Sequence, residues 1–230
     1  MSAPSMIAKI AARVLPSDVV TSLQNYRILS KGFGQYASIK NWECIDAEGT
    51  PIPWYTYPAI EYLKQLDFSA KAVFEYGSGN STRFWSGISR TVTAVEDDQE
   101  WYEKIRPKLG ANVHYRFITD PVEYAQSIRA HEGLLDVIIV DGSHRYECAI
   151  EALPKLRDDG FIILDNSDWQ DKTSRLLREA DLIEVDMSGF GPINGYTWTT
   201  SFYFRRNVKL TPRQDCQPAR GIGSIHHRMS

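Results

Sequence analysis

The chain has 230 residues, 43% hydrophobic and 24% charged, which is enough to bury one substantial core and ordinary for a globular protein. No apolar run approaches the roughly 20 residues that span a bilayer, and Met1 to Ala11 lacks the compact apolar run and cleavage site of a secretory leader. The expectation is a cytoplasmic protein, one domain at its centre. The formal net charge of −3 is unevenly spread. Residues 1–40 carry Lys9, Arg13, Arg27, Lys31 and Lys40 against Asp18, a net of +4, and residues 205–230 carry six arginines and lysines against Asp215, a net of +5. The body between them is acidic. Such ends are either solvated termini or contacts for an anionic partner, including a membrane met peripherally. Cys44, Cys148 and Cys216 are odd in number and lie far apart, without metal-finger or redox spacing, so they read as reduced thiols. Cys148 falls in an apolar helical pattern and reads as core.

Along the chain, Met6, Ile7, Ile10, Val14 and Leu15 recur at helical spacing until Pro16. Lys31 to Pro53 reads as a loop, with Gly32, Gly34, Gly49, Pro51 and Pro53. Trp54 to Leu66 turns helical, with Ile60, Leu63 and Leu66 on one side. From Lys71 short apolar runs alternate with amphipathic segments. Strands are predicted at Ala72–Tyr76, Thr91–Val95, Val113–Ile118, Leu135–Val140 and Phe161–Leu164. Helices are predicted near 80–88, 99–108, 122–131, 146–157 and 170–179. This alternation means βαβ units and a parallel sheet. Two more strand-like runs, Leu182–Val185 and Thr197–Phe204, flank a glycine-rich loop from Met187 to Tyr196. The divisions expected are an N-terminal extension (1–52), a central domain (53–205) and a basic C-terminal arm (206–230).

Chemistry concentrates where predicted strands end. The first turn reads Glu75-Tyr76-Gly77-Ser78-Gly79-Asn80-Ser81-Thr82. Its glycines let a ligand approach the backbone, and Asn80 and Ser81 open a helix whose free N–H groups face the same cleft. A dinucleotide fingerprint would need glycine at position 82, which is Thr. Glu75 suits an ammonium-bearing ligand better than a pyrophosphate. Glu96, ending the second strand, can accept both hydroxyls of a ribose, while Asp97 or Asp98 can cap the next helix. Asp141 ends the fourth strand, with His144 three residues on, and Asp165 and Asn166 end the fifth. Two carboxylates and an amide oxygen make a hard oxygen site for Mg²⁺ or another divalent cation. An unperturbed imidazole titrates near neutrality, so a histidine here, His144, suits a general base. Taken singly, each of these residues is also an ordinary cap, turn or surface residue.

These segments together resemble the class I S-adenosylmethionine-dependent methyltransferases. Asp141-Gly-Ser-His144-x-Tyr146 is similar to their methyltransferase-24 branch, related to metal-assisted small-molecule O-methyltransferases. The resemblance spans about Pro53 to Phe204. It implies an α/β fold, a doubly wound seven-stranded mostly parallel sheet with an antiparallel last strand. It implies S-adenosylmethionine held by Glu75, Gly77, Ser78, Gly79, Asn80, Ser81 and Glu96, with Asp97 and Asp120 near the adenine. Metal ligands would fall on Asp141, Asp165 and Asn166, and Asp141 and His144 would be the catalytic pair. The relatives use a lysine base where this chain has His144.

The activity expected is methyl transfer to a hydroxyl of a small-molecule acceptor, a sugar or phenolic unit. Trp54, Tyr55, Tyr57, Trp169, Tyr196 and Trp198 would wall it in, unless they are ordinary core. No nucleic acid partner is expected, and a homodimer is admitted. The rivals are a non-catalytic cofactor-binding module that docks through the basic ends, and a nicotinamide oxidoreductase.

Overall fold

The computed structural model describes residues 15–214 and 217–225. The helical pattern read over Met6 to Val14 lies outside them. Seven strands form one sheet in the order β3-β2-β1-β4-β5-β7-β6. They are β1 (Ala72–Tyr76), β2 (Thr91–Glu96), β3 (Val113–Phe117), β4 (Leu135–Val140), β5 (Leu156–Asp165), β6 (Ile183–Gly189) and β7 (Trp198–Phe204). β1 to β5 pair in parallel, and β7 runs antiparallel to both of its neighbours. This is the doubly wound sheet expected, with its antiparallel last strand.

The helices are α1 (Ser17–Arg27), α2 (Gln35–Asn41), α3 (Tyr57–Lys64), α4 (Asn80–Ile88), α5 (Gln99–Ile105), α6 (Pro121–Gln126), α7 (Arg145–Ala152) and α8 (Asp171–Glu179). Strand alternation divides the core between the two faces of the sheet. Val73, Val137, Ile139, Phe161, Ile163 and Phe202 face one way, against Ile60 and Leu63 of α3, Trp85 of α4, and Ile52 and Tyr55. Phe74, Ile138, Val140, Ile162, Leu164 and Tyr203 face the other, against Tyr124, Cys148, Ala149 and Leu177 of α6, α7 and α8. Strands buried on both faces read as unbroken apolar runs.

Three expectations need correction. The loop read over Lys31 to Pro53 contains α2, bounded by Gly34 and Trp42, both with left-handed backbone at φ 79° and 51°. The helix read over 146–157 stops at Ala152, because Pro154 cannot continue it. Leu156 already pairs with Leu135 across an irregularity in the β4–β5 ladder. β6 runs on to Gly189, into the segment read as a loop.

Candidate active site at the strand ends

The first turn after β1 is organised around a buried carboxylate. Glu75 is 1% exposed. Its Oε2 accepts a 2.6 Å hydrogen bond from Thr82 Oγ1, and Thr82 Oγ1 accepts the N–H of Gly79 at 3.0 Å. Thr82, a bar to the dinucleotide motif in the sequence, thus ties the glycine turn to Glu75. Its hydroxyl does work that glycine could not. The other oxygen, Glu75 Oε1, is buried without a partner. Burial pushes the Glu75 carboxyl up to about 8, against the pull of the Ser81 and Thr82 hydroxyls.

Gly77 has φ 95°, and its backbone meets that of Gly142 so closely that a Cβ would lie 3.1 Å from the Gly142 Cα. The turns after β1 and β4 therefore abut, bringing Glu75 and Asp141 to the same end of the sheet. Asn80 Nδ2 donates to the Cys44 carbonyl at 2.7 Å, and Arg83 pairs with Glu43 at 2.8 Å. The segment before β1 is thereby fixed to the start of α4.

Glu96 lies at the same end of the sheet. Its Oε1 accepts the N–H groups of Asp97 and Asp98 at 3.0 and 3.1 Å, and its Oε2 accepts Ser78 Oγ at 2.5 Å. Ser78 Oγ also meets the Tyr115 hydroxyl at 2.6 Å, and Trp101 Nε1 donates to the Ser78 carbonyl at 2.8 Å. Burial raises the Glu96 carboxyl. Asp98 caps α5 through the Trp101 N–H, and Asp97 beside it is half-buried. Asp120 caps α6, its Oδ1 accepting the N–H groups of Val122 and Glu123 at 3.0 and 2.9 Å. Trp101 and Tyr115 had no part in the sequence reading, since an aromatic residue in α5 or β3 carries no mark of what it touches.

Beyond β4 and β5 the structure holds a cation of its own. Arg145 spreads its guanidinium across both strand ends. Nη2 meets Asp141 Oδ1 at 3.2 Å, Nη1 donates to Asn166 Oδ1 at 3.1 Å and to the Asp165 carbonyl, and Nε donates to the Gly142 carbonyl at 3.0 Å. The Asp165 carboxylate accepts Trp198 Nε1 at 3.1 and 3.2 Å and the Thr200 hydroxyl. Thr200 is held in turn by the Thr56 N–H at 3.0 Å.

This arrangement does not fit the divalent site expected of Asp141, Asp165 and Asn166. The Asp165 carboxylate is engaged by neutral donors, and Asp141 Oδ1 and Asn166 Oδ1 face the Arg145 guanidinium, a fixed positive charge that would repel a second cation. Among the described residues no cluster of His, Cys, Asp and Glu is arranged to hold a metal. Burial still raises both carboxyls, Asp141 to about 6, with Arg145 opposing the shift in each.

His144 stands apart from this group. Its backbone is left-handed at φ 52° and its side chain is exposed. It lines a groove between α6 and α7 with Pro121, Val122, Glu147 and Ile150, its ring edge-on to Tyr124 at 6.2 Å. Asp141, expected to work with His144, makes its ion pair with Arg145. The aromatic residues divide as well. Tyr55, Tyr57 and Trp198 are buried core, whereas Trp54, Trp169 and Tyr196 are exposed, the last two with ring centroids 6.3 Å apart.

Residues 74–167 match the model of a methyltransferase domain family, the methyltransferase-24 branch. Among curated protein sequences none matches the chain. The solved structure of precorrin-6y C5,15-methyltransferase from Geobacter metallireducens GS-15 is similar, with a TM-score of 0.52 at 11% identity over 64% of this chain and 87% of that one. An rRNA methylase from Streptococcus thermophilus aligns at 16% identity over 64% and 96% of the two chains, with a TM-score of 0.46. The N-methyltransferase NodS from Bradyrhizobium japonicum WM9 aligns at 10% over 60% and 87%, with a TM-score of 0.45. The domain match and the sheet order identify the fold as that of the class I S-adenosylmethionine-dependent methyltransferases.

Proposed function

We propose that this protein transfers a methyl group from S-adenosylmethionine to a hydroxyl of a small molecule with a planar face, a phenolic or sugar unit. The observation that carries the cofactor reading is the buried acidic cleft, with the unpartnered Oε1 of Glu75 at its floor. A buried carboxylate without a partner is costly, and a cationic ligand relieves that cost. The methionine ammonium and the sulfonium are both cations. A pyrophosphate would bring no cation to Glu75 and would meet Asp141 as like charge, and Thr82 stands where a dinucleotide turn needs glycine. The nicotinamide alternative is accordingly disfavoured.

The donor supplies a carbon activated by a positively charged sulfur. Glu75 and the glycine turn hold its amino-acid end, and Glu96 its ribose, with Ser78 Oγ giving way at Oε2. Asp141 stands at the end of β4, across the Gly77–Gly142 contact from Glu75. Burial raises its carboxyl while Arg145 opposes the rise, which suits it to take the hydroxyl proton. The acceptor oxygen forms its bond to the methyl carbon as the carbon–sulfur bond breaks, and the electron pair of that bond stays on sulfur. Arg145 keeps Asp141 and Asn166 in place, so catalysis rests mainly on positioning. Exposed Trp169 and Tyr196 offer faces to the acceptor.

Calorimetry with S-adenosylmethionine, S-adenosylhomocysteine and NAD tests the cofactor. Binding of NAD but not of S-adenosylhomocysteine sinks the proposal. Transfer of labelled methyl to a panel of phenols, glycosides and amines tests the acceptor. Amines methylated in preference to every hydroxyl compound would replace the O-methyl reading, and cofactor binding without turnover on any acceptor would favour a non-catalytic module.

A further inference from the structure

The helix α1 buries none of its eleven residues. Val19, Leu23 and Tyr26 recur at spacings of four and three, which puts them on one stripe. They are 38%, 52% and 62% exposed. Leu15, just before the helix, is exposed as well. A helix this short is marginal in water without a surface to cover its apolar stripe.

The structure also joins the two basic ends of the chain. α1 runs into a π-helical turn at Ile28–Gly32, and the C-terminal arm packs on that turn. A Cβ on Gly32 would lie 3.0 Å from the Ile222 side chain, and one on Gly223 would lie 2.7 Å from that of Ile28. The arm is anchored by hydrogen bonds from the Ala219 and Ile222 N–H groups to Gln65, just past α3, and to Glu61 of α3, at 2.7 and 2.6 Å. Described parts of the two ends of the chain thus meet beside the apolar stripe. Arg27 and Lys31 are exposed at that junction, and so are Ile222 and Ile225.

We infer that α1 and the C-terminal arm form a docking face for an anionic lipid surface. Exposed aliphatic and tyrosine side chains beside lysine and arginine are what the interfacial zone of such a bilayer accepts. Among the described residues no helix is long and apolar enough to cross a membrane, so the contact is with its surface. The inference is independent of the methyl acceptor.

Flotation of the full chain with phosphatidylcholine vesicles, with and without phosphatidylserine, tests it. Recovery with the acidic vesicles should exceed that with neutral ones by about tenfold or more and should fall steeply as salt rises. Leu23→Glu with Tyr26→Glu should abolish it, while the melting temperature and circular dichroism stay unchanged, because neither side chain is buried. Equal recovery on neutral and acidic vesicles, no recovery on either, or unaltered binding by the double variant would each overturn the inference. Sedimentation velocity provides a further arm. A dimer that the same variant dissociates, without vesicle binding, would make the face a contact between copies of this chain and would also overturn it.

Discussion

Arg145 reaches back four residues to Asp141, Nη2 to Oδ1 at 3.2 Å, and the same guanidinium closes on the side-chain oxygen of Asn166 at 3.1 Å. The strand ends that would have formed a metal site are cross-linked by a fixed cation. A chelator should therefore leave turnover unchanged once an acceptor is known. Arg145→Ala should lower stability by about 1.5–3 kcal/mol, the range for hydrogen bonds to charged groups. Arg145→Lys should restore only part of it, because one ammonium cannot span both loops as a planar fork does. Denaturant melts and assays with and without chelator check this. Activity lost in chelator and regained with Mg²⁺ would reinstate a metal.

Glu75 gives the cofactor reading a pH signature. Its carboxyl is pushed up to about 8 from an ordinary 4.5, so it is mostly protonated at neutral pH in the free protein. Its contribution to stability is complete below the unfolded value and is lost as pH rises through about 8. A ligand ammonium requires the ionised form. Binding of S-adenosylhomocysteine should accordingly release a proton, and should tighten as pH rises toward about 8 and then level off. Titrations in two buffers of different ionisation enthalpy measure the proton. Glu75→Gln should bind more weakly and release none, whereas proton uptake by the wild type would contradict the assignment.

Much of this was legible before the fold was in hand, for identifiable reasons. Residues 72–74, 137–140 and 161–164 of β1, β4 and β5 are buried, so they read as plain apolar runs, and each run is followed at once by an acidic residue, Glu75, Asp141 or Asp165. Cys148 read as core and is fully buried. Arg145 was invisible because its partners come from two loops that only the β4–β5 pairing brings together. His144 is a different case. Its spacing from Asp141 suits a catalytic pair, but left-handed backbone at φ 52° accompanies a side chain that lines the groove beside Tyr124. α2 went unread because its bounding glycine looked like loop punctuation.

Glu96 should matter to cofactor affinity more than Ser78. Glu96→Ala should weaken S-adenosylhomocysteine binding by about 1–3 kcal/mol, the cost of leaving polar partners unmatched. Ser78→Ala removes a hydroxyl that competes for Oε2, and should cost under about 1 kcal/mol. Calorimetry on both variants, with thermal melts to confirm folding, decides the order. Equal losses would mean that Ser78 itself contacts the ligand.

Gly142 is the tightest point of the cleft. A Cβ there would fall 2.1 Å from the Tyr124 hydroxyl oxygen and 2.7 Å from the Gly77 nitrogen. Tyr124 is fully buried, so its ring has little room to withdraw, and the Gly77 backbone belongs to the cofactor turn itself. Gly142→Ala should cost about 1–3 kcal/mol of stability, as overpacking does, and should weaken cofactor binding by shifting the turn. Tyr124→Phe deletes the oxygen that makes the nearer contact, a hydroxyl buried without a partner, so that change alone should be mild. Combining the two should recover part of the stability lost in Gly142→Ala, leaving the part due to Gly77. A double-mutant cycle measured by denaturant unfolding reads this coupling directly. Strict additivity would show that the Tyr124 contact carries none of the strain.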